Sequence, residues 1–299
     1  MNSMWEYRIR LPIILIILLF LIISSLAVLT FNYSFLKKEE PKKYLKSEEV
    51  VVLSGPQGPS EEPAKELLIL PVEDVLFEYV EVADSCNPSF EGDCLNVRSG
   101  PGEEYDVVTR LRNGVVLRID GKVQRVDRAW YRVIFDEKIR YPERVKGDWY
   151  IASEYVRILY DEGEKNIWEN ENSTTTKRVI VNRSEQMLYA YEGNDLFMKT
   201  AISTGIELTP TPRGSFTIYK KTPSRYMQGP LPGISDKYYD LPGVPWNLYF
   251  TYQGAVIHGT YWHNNFGKPA SNGCVNLPPN MAEQLYKWAE VGMQVVVQD

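Results

Sequence analysis

Apolar positions form one long run near the N-terminus and many short, interrupted runs after it. The segment 13–28 is almost continuously apolar and contains no charged residue. A run of this length is about what an α-helix needs to cross the hydrocarbon core of a bilayer. The pattern predicts a transmembrane helix at 11–31 behind a cytoplasmic tail at 1–10. A cleaved signal stays open, since Ser25-Leu26-Ala27 is a small-residue cleavage site.

Residues 32–74 change to a polar composition rich in Lys, Glu, Pro, Ser and Gly. Such a segment cannot bury enough apolar surface to fold alone, so it is predicted to be a disordered linker. Five lysines close behind the span outnumber the two arginines before it. By the positive-inside rule this charge distribution favours a cytoplasmic C-terminal part. The nature of the domains that follow favours the opposite orientation.

Short apolar runs begin near residue 75 and continue to 160. Turn signals at Gly100-Pro101-Gly102, Asn113-Gly114 and Asp120-Gly121 separate these runs. Short strands with such turns are typical of small antiparallel β-structures. We therefore predict a compact β-module at 75–160. The polar stretch at 161–176 is predicted to be a second linker.

Alternation returns at 177–299 and predicts a second domain that is rich in β-structure. The expected strands are 178–181, 187–191, 197–202, 215–220, 248–252, 255–257 and 295–298. One amphipathic helix is expected at 280–291, with Asn280 as its cap and Gly292 as its terminator. The Gly/Pro-rich segment 226–246 is expected to be a flap over substrate or an ordered loop. The fold class is therefore mostly β, of the α+β kind.

Composition narrows the range of partners and compartments. The 33 basic and 39 acidic residues give a net charge of −6, which argues against a nucleic-acid partner. Three cysteines are too few for a disulfide scaffold. Cys86 and Cys94 enclose a short loop and can pair in an oxidising compartment, although two unrelated small side chains are the alternative. Cys274 is then an odd thiol, which in an exported protein points to chemistry.

Both histidines of the chain, His258 and His263, lie shortly before Cys274 in a loop-like stretch. Imidazole is the side chain that can convert a thiol into a nucleophilic thiolate near neutral pH. His258 and Cys274 are therefore the candidate catalytic pair, whereas His263 is expected to pack in the loop or line the substrate site. Zinc ligation by all three is the alternative, but no fourth ligand is apparent. We expect neither a metal nor a cofactor.

A set of motifs surrounds this pair. His258-Gly259 is followed by SNGCVN at 271–276, and VIVNRSEQMLYAY, Ser203-Thr204-Gly205 and TPTPRGSFTIYKK precede it. These motifs resemble the catalytic domain of L,D-transpeptidases of the YkuD type, in which His-Gly is followed by Ser-His-Gly-Cys-x-Arg/Asn. The resemblance covers 177–299 and implies a β-rich catalytic domain.

A second set of motifs lies in the β-module. It consists of LNVRSGPG at 95–102, Asn113-Gly114, Trp149 and Tyr155-Val156. These motifs resemble the bacterial SH3-like domain. That resemblance implies a small barrel that often binds cell-wall peptide or glycan, with a spacer barrel without ligand as the alternative.

The transpeptidase resemblance implies a cysteine acyltransferase acting on peptidoglycan stem peptides. It implies Cys274 as nucleophile and His258 as base, with the Gly259 carbonyl orienting the imidazole. The N–H groups of Gly273 and Cys274 are expected to meet the oxyanion. The implied reaction releases D-Ala from a tetrapeptide stem through a thioester and transfers the acyl group to an amine, giving a 3→3 crosslink in cell-wall biogenesis. The implied location is the cell membrane, with a single span at 11–31 and the catalytic domain extracytoplasmic.

The remaining site candidates are expected to bind substrate. They are Ser271, Asn272, Asn276, Thr260, Met227 and Trp246. Asn276 stands where relatives carry Arg or Asn, although a turn residue before two prolines is an equal interpretation. Asn272 replaces the second His of the family motif and cannot titrate. That departure supports the alternative function, a non-catalytic membrane-anchored peptidoglycan-binding protein with a degenerate site.

Overall fold

The computed structural model describes seven stretches of the chain. They are residues 72–73, 79–83, 94–135, 139–161, 163–166, 175–233 and 235–299. The expected tail and transmembrane helix lie outside them, as does the 32–74 linker except for residues 72–73. Within the described stretches no helix is long and apolar enough to cross a membrane. Cys94 is disulfide-bonded, and its expected partner Cys86 lies outside the described residues.

The first module is one eight-stranded antiparallel sheet. Its strands are β1 (Val72–Glu73), β2 (Tyr79–Val82), β3 (Leu95–Arg98), β4 (Val107–Leu111), β5 (Val116–Gln124), β6 (Ala129–Ile134), β7 (Trp149–Ala152) and β8 (Val156–Leu159). They follow the order β4-β3-β7-β6-β5-β2-β8, with β1 paired to β5. Strand β1 therefore lies in the last residues of the predicted linker. Alternate buried positions of β3 and β5 supply the interior of this sheet, as the period-two pattern predicts.

The second domain consists of two five-stranded sheets and one helix. The first sheet contains β10 (Lys177–Asn182), β11 (Met187–Glu192), β12 (Asp195–Ala201), β13 (Gly214–Thr217) and β18 (Gln294–Gln298), in the order β12-β11-β10-β18-β13. The second contains β9 (Lys165–Asn166), β14 (Lys220–Leu231), β15 (Ser235–Tyr249), β16 (Val256–Gly259) and β17 (Val275–Leu277), in the order β17-β16-β15-β14-β9. The second sheet carries the site described below.

The segment 226–246 forms most of a long β-hairpin, β14–β15, and not an irregular loop. Its prolines and glycines are accommodated by register shifts between Arg225 and Met227 and between Gly229 and Leu231. Bulges of this kind leave an extra residue unpaired, so a strand can include residues that would interrupt a regular ladder. The expected covering element is thus a hairpin, which holds its side chains in a defined register.

Helix α1 spans Pro279–Trp288, so it begins one residue earlier and ends three residues sooner than the sequence predicts. Its N-cap is Pro278, without a side-chain hydrogen bond, so Asn280 is not the cap. Lys221 donates through Nζ to the carbonyls of Tyr286 and Ala289, at 2.7 and 3.0 Å. A cation there satisfies carbonyls that a helix end leaves unpaired. The helix therefore ends before Gly292.

The two parts of the molecule share hydrophobic core. Tyr79, Val116 and Leu159 of the module belong to the same buried cluster as Trp246 and Leu285 of the second domain. Arg157 adds an ionic contact, since it pairs with Glu81 of the module and Glu283 of α1. The residues before the predicted linker at 161–176 therefore pack directly against the residues after it.

Gly243 marks the place where the hairpin crosses the module. Its φ is +64°, and a Cβ built there would lie 2.4 Å from Cγ1 of Val115 and 2.5 Å from the carbonyl oxygen of Val116. Nearby, Ser224 donates its hydroxyl to that same Val116 carbonyl at 2.7 Å. Only glycine fits both the backbone angle and the close approach. The module thus supports one face of the hairpin.

Candidate active site

Strands β16 and β17 bring the candidate catalytic residues together. They pair in parallel, with Ile257 opposite Val275 and His258 opposite Asn276. Because side chains alternate along a strand, those of His258, Asn276 and Cys274 are expected to face the same side. All three line one cleft of about 970 Å³. A thiol and an imidazole separated by 16 positions in sequence thus share the floor of one cavity.

His258 is held in a single neutral form. Its Nδ1 lies 2.9 Å from the carbonyl oxygen of Gly259, so Nδ1 carries the hydrogen and Nε2 keeps its lone pair. Burial lowers the pKa of His258 to about 4, against the opposing effect of the Gly259 carbonyl. The side chain is 1% exposed. Near neutral pH, His258 is therefore an unprotonated base.

Cys274 is a buried free cysteine whose thiol is protonated at rest. Burial raises the pKa of the thiol, while the charge of Arg225 and the N–H of Val256 act in the opposite direction. Its Sγ lies 3.8 Å from the carbonyl oxygen of Gly254, a weak hydrogen bond. Both shifts favour the neutral forms of the two candidate reacting groups, His258 and Cys274.

The turn before Cys274 is fixed by its own hydrogen bonds. The Ser271 hydroxyl donates to the Cys274 carbonyl at 2.5 Å, and the Gly273 N–H donates to Ser271 Oγ at 3.2 Å. Thr211 donates to the same Cys274 carbonyl at 3.3 Å. Gly273 has a φ of +110°, where other residues are strained. Ser271 therefore shapes the loop, and the expected oxyanion donor Gly273 is engaged with it.

His263 and Asn276 form a pair that the sequence did not indicate. The Asn276 side-chain amide lies 2.9 Å from Nε2 of His263, and Nδ1 of His263 accepts the Asn265 N–H at 3.2 Å. A neutral imidazole with an accepting Nδ1 carries its hydrogen on Nε2, so this tautomer requires the amide oxygen of Asn276 at that position. The other end of the Asn276 amide is buried and has no hydrogen-bond partner among the described residues. His263 itself does not line the cleft.

The other expected substrate-binding residues separate into two groups. Asn272 and Met227 line the cleft, and Asn272 forms no hydrogen bond with any residue in the described stretches. Thr260 is 1% exposed behind His258, with Oγ1 3.5 Å from Nδ1. Trp246 is 2% exposed and packs on Tyr286. Tertiary packing buries the side chains of Trp246 and Thr260, and neither is among the described residues that line the cleft; their roles in substrate binding stay predictions.

The cleft also contains residues that sequence reasoning missed. Arg225, Tyr239 and Lys237 of the hairpin line it, together with Arg140 from the segment between β6 and β7. No Asp or Glu is among the described lining residues. Arg225 lies under Tyr249, with its guanidinium carbon 5.3 Å from the ring centroid. The motif gave no signal for these residues, because contacts between distant segments bring them to the cleft.

Zinc binding gains no support from the arrangement. In the part of the chain that the structure describes, no three side chains of His, Cys, Asp or Glu come together as a metal-ligand group. His263 is directed to Asn276 and Asn265 instead of toward Cys274.

Comparison with known families assigns both parts of the chain. Residues 93–157 match the family model of the bacterial SH3 domain, and residues 176–297 match that of the L,D-transpeptidase catalytic domain, YkuD. The chain thus contains a segment that matches the L,D-transpeptidase catalytic domain, and before it a segment that matches the bacterial SH3 domain. Both resemblances are thereby confirmed, in the predicted order.

Individual relatives match a smaller share of the chain than the two family models do together. A candidate L,D-transpeptidase, YkuD of Bacillus licheniformis, is 30% identical over 107 residues, which are 35% of this chain and 54% of that protein. The chain thus spans about half the length of this curated relative.

Solved L,D-transpeptidases are also among the matches. One from Mycobacterium smegmatis is 18% identical, with a TM-score of 0.40 over 57% of this chain and 90% of its own. The catalytic domain from E. faecium is 24% identical, with a TM-score of 0.37 over 42% of this chain and 100% of its own.

Proposed function

We propose that this protein is a peptidoglycan L,D-transpeptidase that uses Cys274 as its nucleophile. The observation that carries the proposal is the position of an unprotonated His258 and a buried Cys274 thiol on one cleft floor. The proposed donor is a tetrapeptide stem, in which a diamino acid precedes a terminal D-Ala. The cell-wall role is supported by the two domain families together.

The first half of the reaction forms a thioester. Nε2 of His258 accepts the thiol proton while Sγ of Cys274 attacks the carbonyl carbon at the L-centre of the diamino acid. The carbonyl oxygen becomes an oxyanion, for which the Cys274 N–H is the remaining expected donor while Gly273 contacts Ser271. The C–N bond then breaks, His258 returns its proton to the leaving amine, and D-Ala departs.

The second half transfers the acyl group. A side-chain amine of a neighbouring stem attacks the thioester carbonyl and loses a proton to His258. The C–S bond breaks, the proton returns to Sγ, and a 3→3 crosslink is formed. A protein lysine as acceptor would give protein anchoring, and water would give carboxypeptidase activity. The mass of the product distinguishes these acceptors.

The substrate places the catalytic domain outside the cytoplasm in this proposal. The apolar segment 11–31 supports a single-pass membrane anchor. The disulfide at Cys94 is consistent with an oxidising compartment. Protease accessibility of the catalytic domain in intact cells, compared with lysed cells, tests the orientation.

Intact-mass spectrometry tests the chemistry. The full-length chain is incubated with a disaccharide-tetrapeptide, and separately with a carbapenem as a second acylating probe, and D-Ala release is measured. We expect a covalent adduct and D-Ala release that both disappear in Cys274→Ala. A folded wild-type protein that forms no adduct and releases no D-Ala would contradict the proposal and favour the non-catalytic wall-binding alternative.

A further inference from the structure

The SH3 domain contributes directly to the wall of the catalytic cleft. Ile139 and Arg140 line the cavity that also contains Cys274. They belong to residues 139–144, which we call the arm, in the connection between β6 and β7. Binding of the SH3 domain to the cell wall alone would not require any of its residues to line this cavity. The arm is therefore a candidate for a role in substrate recognition.

The arm is fixed to the β14–β15 hairpin by a set of hydrogen bonds. The Tyr141 N–H donates to Oε1 of Gln228 at 2.8 Å, and Nε2 of Gln228 donates back to the Tyr141 carbonyl at 3.2 Å. The Tyr141 hydroxyl donates to the Pro230 carbonyl at 2.9 Å, and Arg144 donates to the Gly229 carbonyl at 2.5 Å. Gln228 is 3% exposed, so these bonds are protected from water.

These contacts place at the cleft a cation, Arg140, for which the described residues supply no partner. Arg140 is exposed, and it forms no ion pair or hydrogen bond with any residue that the structure describes. The nearby acid of the hairpin, Asp240, is instead held by Gln228 at 2.7 Å and by Arg144 at 3.5 Å. Arg140 is therefore available to an anion from outside the chain.

Arg140, Tyr239 and Cys274 line the same cavity. Burial raises the pKa of Tyr239, whereas the positive charges of Arg225 and Arg140 lower it. Tyr239 thus lies within electrostatic reach of both arginines. An anion bound by Arg140 would lie in the cavity that also contains Cys274.

The charge of the lining indicates the class of ligand. Arg140, Arg225 and Lys237 line the cleft without any Asp or Glu among the described lining residues. A guanidinium presents parallel N–H donors that match the two oxygens of a carboxylate. We propose that Arg140, supplied by the SH3 domain, binds the C-terminal carboxylate of the donor peptide and determines specificity for it. This rests on the proposed function only for the identity of that peptide.

Equilibrium binding tests the proposal separately from turnover. The full-length Cys274→Ala protein is titrated with the tetrapeptide as free acid and as C-terminal amide, with and without Arg140→Gln. We expect Arg140→Gln to weaken binding of the acid about fivefold, since this guanidinium stays in contact with water, and to leave binding of the amide unchanged. Arg140→Lys should recover part of the loss.

Lys146→Gln is the matched control, because it removes an exposed charge near the arm but outside the cleft lining. It should leave both affinities unchanged. Equal losses for acid and amide in Arg140→Gln, or no loss for either, would overturn the proposal. D-Ala release by the wild-type protein is measured in parallel. Absence of D-Ala release would contradict the proposed function. The ratio of the affinities for the acid and the amide would still decide the role of Arg140.

Discussion

The two walls of the cleft differ in exposure, in charge and in origin. The wall formed by β16, β17 and the turn before β17 holds His258, Cys274 and Asn276, each at most 9% exposed, and its two candidate reacting groups are neutral. The other wall consists of the β14–β15 hairpin and the arm, and it presents Arg140 and Lys237. In the proposed reaction, one domain thus supplies the reacting groups, whereas two domains together supply the surface that binds the ligand.

Burial suits the wall that holds His258 and Cys274, whereas exposure suits the wall that presents Arg140 and Lys237. A dry environment strengthens the interactions that develop during proton transfer and excludes competing water. A charged ligand, in contrast, must first be attracted from solvent, which exposed cations achieve. Substitutions in the buried wall should therefore change the chemical step, and substitutions in the exposed wall should change binding.

The largest effect is expected from His258→Gln. Removing a general base typically costs about a thousandfold in rate, and glutamine cannot accept the thiol proton. The rate of D-Ala release at saturating tetrapeptide should fall accordingly, with circular dichroism showing an intact fold. His263→Gln is the control and should retain most of the rate, since an amide can still bond to Asn276. A loss of less than about tenfold in His258→Gln would assign the base elsewhere.

The next effect concerns the stability of the buried wall. An unfolded imidazole takes up a proton below its ordinary pKa of about 6.5, whereas folded His258 stays neutral down to about 4. Between these values the unfolded state binds more protons, so stability decreases as the pH falls. From pH 7 to pH 4.5 this group should lower the free energy of unfolding by about 2.5 kcal/mol.

Urea denaturation of the wild type and of His258→Gln at both pH values measures that contribution, because carboxylate titrations are common to the two proteins. The decrease on acidification should be smaller in the variant. An equal decrease in both proteins would show that His258 is not protected from protonation by the fold.

A smaller effect is expected when the arm is released from the hairpin. Gln228→Ala removes both bonds to Tyr141 and the bond to Asp240. KM for the tetrapeptide should rise about tenfold, while kcat stays within about threefold because the buried wall is untouched. Gln124→Ala, which removes a surface amide whose bond among the described residues is to Arg125, is the control. A decrease confined to kcat would place the hairpin in the chemical step.

The smallest effect is expected from Asn272→His, which restores the residue of the family motif. If His258 is the only base, the added imidazole should change D-Ala release by less than about tenfold. Asn272→Ala provides the comparison without a titrating group. A gain of about a hundredfold would show that the motif's second histidine takes part in proton transfer.

Local sequence patterns predicted the parts of the site that depend on neighbouring residues. The pair His258 and Cys274 lies in one short segment, and Gly259 is adjacent to the imidazole that it orients. The position of Arg140 was beyond such patterns, because it depends on contacts between Tyr141 and Gln228, 87 positions apart. The burial of Trp246 was missed for the same reason.

The boundaries of elements depended on similar distant contacts. The helix was predicted to continue to 291, yet Lys221 from β14 binds the carbonyls at its C-terminal end. The hairpin was predicted as a flap or loop because its prolines and glycines mask the alternation of a strand. Register shifts against the partner strand make that alternation possible, and they are not visible in one segment alone.

The shared core affects how the protein is made. Tyr79, Val116 and Leu159 are synthesised long before Trp246 and Tyr286, with which they form one buried cluster. A nascent SH3 domain therefore carries an uncovered apolar face until the end of the chain has left the ribosome. Chains truncated after the first domain would expose this face permanently and would be expected to aggregate or be degraded. Deleting the catalytic domain to obtain an isolated wall-binding module would thus remove part of that module's own interior.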